Sequence, residues 1–345
     1  MSKSSKNYVM NFMLIILLTA FGMWIALKDN FNEVITTLTN IDFGILIVIL
    51  IWGLIYQVMV GCILTIVTRR NKKGYKLRQG IQCSFVGAFF SGITPSATGG
   101  QFAQAYIFHK QGLTISDGAS ILWIDFIIYQ SVMTVYAAIM MILKFNYYYN
   151  EQKSFFLLVL LGFFISSAII IALWLMLKLP KVYVKLSKFI VKIFHKIHLV
   201  KDEEQTLNQW NSSLLAFIEE IQKIKNDKKM IRNVAFLTVI RLTMYNILPY
   251  VIMLAIGLKP DFSIILDVIA LSSFVSLANS FFPVPGASGG TEVSFLLIFK
   301  TLVNDTSMVS SIMVLWRLST YHFILIVGGI VFMASKLYYD HVEQK

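Results

Sequence analysis

Charge is scarce in this chain. Asp, Glu, Lys and Arg supply 14% of its 345 residues, against 57% apolar residues and a mean hydropathy of +0.71. Such a composition excludes a soluble globular domain and makes the bilayer the solvent. Cysteine is nearly absent: Cys62 and Cys83 lie within or beside apolar runs, with no CxxC spacing, which excludes a disulfide framework and leaves two packing residues. No His/Cys/Asp spacing suits a metal, no cofactor is indicated, and His109 and His322 read as structural. Acidic residues number 18 against 30 Lys and Arg, for a net charge of +12. The basic residues cluster between apolar runs instead of interleaving with aromatic ones, so they indicate membrane topology and lipid-surface contact, with no nucleic acid.

What is present is a series of apolar runs of about 20 residues, the length that crosses a bilayer. They fall near 8–27, 41–68, 115–143, 154–177, 231–257 and 308–335. The first, behind Lys3 and Lys6, is too long for a signal-peptide core and lacks a small-residue cleavage site, so it is expected to be a transmembrane helix. Basic residues flank the second span (Arg69, Arg70, Lys72, Lys73, Lys76, Arg78), and a second basic block from Lys178 to Arg232 follows the fourth. The positive-inside rule puts both blocks, and both termini, in the cytoplasm. Segments 81–110 and 262–303 are apolar but cut by glycine and proline. Full crossings there would put the second basic block outside. They are therefore expected to be re-entrant, the first entering from the cytoplasm and the second from the other side. The expected fold is an all-α polytopic membrane protein in one domain, 1–345. It has about six spans, a first repeat at 41–143, a polar linker at 178–230 and an inverted second repeat at 231–335.

The repeat rests on two motifs. Pro95-Ser-Ala-Thr-Gly-Gly-Gln101 and Pro285-Gly-Ala-Ser-Gly-Gly-Thr291 share P-x-A-[ST]-G-G. Upstream, Ser84-Phe85-Val86 answers Ser273-Phe274-Val275 with one residue of slip; downstream, Trp123 and Trp316 occupy similar places. Interrupted segments in corresponding positions of two inverted halves mark the binding site of many transporters. Irregular backbone survives at membrane depth only where protein buries it or a wet cavity adjoins it. Gly99, Gly100, Gly289 and Gly290 permit close approach, and the prolines prevent a continuous helix. The helices that follow present free N–H groups, with Thr98, Ser288 and Thr291 as candidate caps, an arrangement that favours phosphate or carboxylate. The alternative is that these glycines serve helix packing alone.

Asp125, Arg241 and Arg317 each lie about ten residues into a span, roughly 15 Å deep, and Glu292 follows the second motif. Charges at that depth are functional candidates by default. Either the arginines grip an anionic headgroup with their planar forks, or Asp125 and Glu292 neutralise them as structural ion pairs. Tyr56, Gln57, Gln104, Tyr106, Tyr129, Gln130 and Tyr245 line a wet path or act as packing. Tyr147, Tyr148 and Tyr149 read as an interfacial belt. Lys181, Lys185, Lys188, Lys192 and Lys196 recur along one helical face, as in a basic amphipathic helix on anionic lipid or in a solvated connector.

At Ile93–Tyr106 (ITPSATGGQFAQAY) and Phe281–Phe295 (FFPVPGASGGTEVSF) the chain resembles the lysylphosphatidylglycerol synthase transmembrane family, also called flippase-like domain proteins. The resemblance implies a bacterial inner-membrane domain that moves an aminoacylated phospholipid, or another lipid-linked headgroup, between leaflets. It assigns Pro95, Gly99, Gly100 and Gln101 to the first family motif and Pro285, Gly289, Gly290, Thr291 and Glu292 to the second. Arg317 matches the arginine usual in the following span, while the first half offers Asp125 in its place. The soluble synthase domain found in full-length members is not expected here, so no transferase activity is expected. Two rival readings stand beside translocation. One is an intramembrane enzyme using Glu292 or Asp125 as general base; the other is a partner subunit for a separate synthase or glycosyltransferase. A homo-oligomer is left open.

Overall fold

The computed structural model describes residues 35–36, 39–144, 153–196, 202, 204–212, 227–279 and 284–343. The expected span at 8–27 and the tyrosines at 147–149 lie outside the described residues. All regular structure among the described residues is helical. Helix α1 (Phe43–Thr68) runs into α2 (Leu77–Ile93), which ends at a break over Pro95–Ala97 before α3 (Thr98–Lys110). Then come α4 (Ile115–Leu143), α5 (Lys153–Lys178), α6 (Pro180–Lys196) and α7 (Lys228–Ala255). Helix α8 (Ile265–Asn279) precedes the second break at Pro285–Ala287, followed by α9 (Gly290–Phe299), α10 (Thr306–Arg317) and α11 (Phe323–Glu343).

Among the described residues, five helical stretches are long and apolar enough to cross a membrane: Phe43–Thr68, Ile115–Leu143, Lys228–Ala255, Phe262–Asn279 and Thr306–His341. Four match expected spans. The other, Phe262–Asn279, was assigned to a re-entrant segment, yet it has the length of a span because a short 3-10 turn at Phe262–Ile264 extends α8. The expected span at 154–177 is helical as α5.

Segment 81–110 forms a helical hairpin that returns to its starting end. The Tyr75 hydroxyl meets Gln111 Oε1 at 2.5 Å, Lys72 Nζ donates to the Gln111 carbonyl at 2.6 Å, and Gln111 Nε2 donates to the Gln79 carbonyl at 3.1 Å. Glycine lets α2 and α3 close on each other: a Cβ on Gly100 would lie 1.9 Å from Ser91 Oγ and 2.8 Å from the Gly87 carbonyl oxygen. Helix α2 is also clamped from two other sides. Gly61 and Gly80 bring α1 against it, Gln57 Nε2 donates to the Ser84 carbonyl at 2.6 Å, and Gly328 of α11 sits on the Phe85 carbonyl. The second hairpin packs α8 on α9, and its outer ends, Ile264, Ile265, Leu302 and Val303, pack on one apolar cluster with Ile41, Met140 and Ile256.

The ends of the bundle differ in charge. Val67, Tyr75, Phe108, Leu113, Met230 and Tyr339 pack together at one end, beside the basic residues 69–78 and Lys228, Lys229 and Arg232. The first hairpin starts and finishes there. The second starts and finishes at Ile264, Ile265, Leu302 and Val303, which pack against the other apolar cluster.

Candidate functional site

The two breaks meet: Pro95–Ala97 packs against Pro285–Ala287, and the second break also touches α2. Their backbones match residue by residue. The residue before each proline is extended (Thr94 φ −121°, Val284 φ −111°), as a following proline demands. The next two positions are left-handed in both copies, Ser96 at φ 52° and Ala97 at 56°, Gly286 at 59° and Ala287 at 50°. Non-glycine residues held there cost of order 1 kcal/mol each and persist only where surrounding structure fixes them.

The copies part at the next residue. Thr98 is helical (φ −64°, ψ −33°) and opens α3 directly, whereas Ser288 is extended (φ −62°, ψ 143°) and Gly289 takes φ 84°, delaying α9 to Gly290. Gly289 is thus the position where positive φ demands glycine; Gly99 is needed for closeness, because a Cβ there would lie 2.5 Å from Thr94 Cγ2.

The expected caps are not the caps used. Thr98 Oγ1 donates to the Pro95 carbonyl, Thr291 Oγ1 donates to the Ala287 carbonyl, and Ser288 Oγ accepts from Arg317 Nη2 at 3.3 Å. Thr94 caps the first helix instead, accepting the Gly99 N–H at 2.8 Å. Glu292 Oε2 takes the Gly289 N–H at 2.7 Å. Hydroxyls that sit inside the first turn reach back to earlier carbonyls, while a residue before the turn is placed to accept.

Arg317 is wired into the second break. Its Nε lies 2.8 Å from Glu292 Oε1, and its Nη2 donates to the Gly286 carbonyl at 3.3 Å; Glu292 is wholly buried. Its guanidinium carbon stands 4.1 Å above the Tyr321 ring, and Tyr321 donates its hydroxyl to the Gly92 carbonyl of α2 at 3.1 Å. Tyr321 therefore ties the second break to the first hairpin. It lies in a π-helical turn, Leu318–His322, a distortion frequent at functional sites. Glu292 and Arg317 thus form an ion pair, an arrangement compatible with a ligand in the same cavity.

Arg241 is arranged otherwise. It is 4% exposed, its guanidinium carbon stands 4.3 Å above the Tyr129 ring, and its Nε has no hydrogen-bond partner among the described residues. Asp125, Tyr129 and Tyr56 lie within electrostatic reach of it, but no ion pair joins it to Asp125 among the described residues. Asp125 Oδ1 is likewise buried without a partner among the described residues. Tyr56 packs on Tyr245 (ring centroids 5.4 Å apart), and Tyr245 packs on Trp316 (5.4 Å), the neighbour of Arg317. An aromatic bridge thus connects the two arginines.

Pro285, Ser288, Gly290, Thr291, Glu292 and Arg317 gather at the second break, and Asp125 and Arg241 one aromatic layer away. Pro95, Thr98 and Gln101 are exposed on the first break, with Gly99 and Gly100 turned into the hairpin. Trp316 is buried, whereas Trp123 is exposed, so their correspondence is one of sequence alone. Thr94 and Tyr321 were not expected. Tyr321 stands one helical turn after Arg317, a spacing that points to it.

Residues 12–328 match the model of the family described as Lysylphosphatidylglycerol synthase TM region. No curated protein matches the chain.

Proposed function

We propose that this chain, which belongs to the Lysylphosphatidylglycerol synthase TM region family, carries an anionic or zwitterionic lipid headgroup between leaflets at Arg241 while the acyl tails stay in the bilayer. Membership and the apolar helices make it a multi-pass membrane protein with a lipid-related function; translocation is the finer reading. The observation that carries it is Arg241. A buried guanidinium with an unused donor at this depth is costly, and a phosphate oxygen would satisfy it with a charge-assisted bond. Arg317, whose donors go to Glu292, Gly286 and Ser288, holds the second break in shape and is not the headgroup ligand in this reading. The inverted hairpins supply the moving parts: with the basic end at the cytoplasmic face, one hairpin is anchored on each side, and rocking of one against the other opens Arg241 to either leaflet.

The test is purified protein in vesicles carrying fluorescent phosphatidylglycerol, phosphatidylethanolamine or lysyl-phosphatidylglycerol, with dithionite quenching of the outer leaflet. The wild type accelerates exchange of at least one lipid, and Arg241→Gln removes the acceleration. Failure with every lipid in the panel refutes the reading.

A further inference from the structure

We propose that Asp125 is a proton site coupled to Arg241, so that each headgroup anion entering the bundle brings one proton with it. This rests on the headgroup reading above.

Asp125 faces Arg241 from α7, Cys83 from α2 and Tyr129 from its own helix, while Arg241 also faces Tyr56 from α1. Arg241 is the single cation in that set. The carboxylate and the guanidinium sense one another without a bond between them, so each is free to take another partner. Without a lipid, the two charges balance. A phosphate anion at Arg241 places two negative charges around one positive charge where water is scarce, and such an excess is strongly unfavourable. Protonation of Asp125 restores neutrality. When the anion leaves, the carboxyl returns its proton. No bond in the lipid forms or breaks; anion and proton enter together and leave together.

Further buried polar groups lie on the helices that carry the pair and on α8. Ser131 Oγ and Thr134 Oγ1 on α4, Asn246 Oδ1 on α7 and Ser272 Oγ on α8 are buried polar atoms with no partner among the described residues. They are the kind of groups that hold water.

The experiment titrates dihexanoyl phosphatidylglycerol into purified detergent-solubilised protein across a range of pH, in weak buffer with a pH indicator dye. Wild type takes up one proton per anion bound, and over the coupled range its affinity falls about tenfold per pH unit. Asp125→Asn binds with no slope and no proton uptake, and Asp125→Glu, which keeps the carboxyl, keeps both. Wild-type binding that is pH-independent, or a slope that survives in Asp125→Asn, overturns the coupling and leaves translocation standing. No binding to wild type at any pH overturns the headgroup reading and this inference with it.

Discussion

Removing the Glu292 carboxylate strips Arg317 of its counter-ion in a place where neither side chain is more than 6% exposed. At a separation of 2.8 Å and an effective dielectric constant of about 20, the gross attraction is about 6 kcal/mol. Desolvation of both ions offsets much of that, so the intact pair contributes little net stability; the one-sided loss is what matters. Glu292→Gln should therefore destabilise by about 3–5 kcal/mol, a figure that includes the charged partner left without its anion. Glu292→Gln combined with Arg317→Met removes the orphaned charge and should recover more than half of the loss. The assay is reversible unfolding in mixed micelles, with both single variants completing the cycle. Single and double variants of equal stability, or a Glu292→Gln variant as stable as wild type, would refute the buried-pair account.

Other substitutions separate conformational from steric glycines. Gly289→Ala forces a side chain to φ 84° with nothing among the described residues within 4 Å, so it should cost about 1–2 kcal/mol from backbone strain. Gly100→Ala keeps a helical backbone but collides with Ser91 and the Gly87 carbonyl, and should cost about 1–3 kcal/mol by overpacking, recoverable in part by Ser91→Ala; thermal unfolding checks both. Asp305 caps α10 through the Ser307 and Met308 N–H groups at 2.8 and 3.3 Å, so Asp305→Ala should cost about 1 kcal/mol. The Ser307 hydroxyl, with the backbone bonds, holds the Asp305 carboxyl below its ordinary range. Its contribution is therefore complete above the unfolded-state value near ~4 and fades as pH falls through the lower folded value; unfolding at pH 7 and pH 3 should differ less in Asp305→Asn than in wild type. In a background without Cys62 and Cys83, cysteines at Lys73 and Ser116 should react with an impermeant maleimide only from the cytoplasm, and cysteines at Lys259 and Lys300 only from outside. Labelling of one hairpin's two flanks from opposite sides would exclude its re-entrant form.

The likeness of the two motifs was legible in the sequence because proline and the small residues around it fix the backbone locally: P-x-A at 95–97 and 285–287 adopts one conformation in both motifs. The helices were legible from apolar length. Capping was not, since Thr94 and Glu292 compete for N–H groups with hydroxyls that are equally suitable by type, and the register of the first turn decides between them. Nor was the different fate of the two arginines. Residue spacing places Arg241 and Arg317 at similar depth, but Glu292 reaches Arg317 only because the second copy delays its helix at Ser288–Gly289, and nothing in the motif announces that delay. Tyr321 was missed because a tyrosine in an apolar run is ordinarily packing, and its bond to Gly92 spans 229 positions.

The account turns on Arg241 as the place where a headgroup rests. An experimental structure in nanodiscs containing a bacterial lipid extract tests it most directly. The account predicts phosphate density within hydrogen-bonding distance of the Arg241 guanidinium, inside the bundle and beside the meeting breaks. Lipid density confined to the outer surface, with Arg241 closed onto Asp125 in an ion pair, would contradict it.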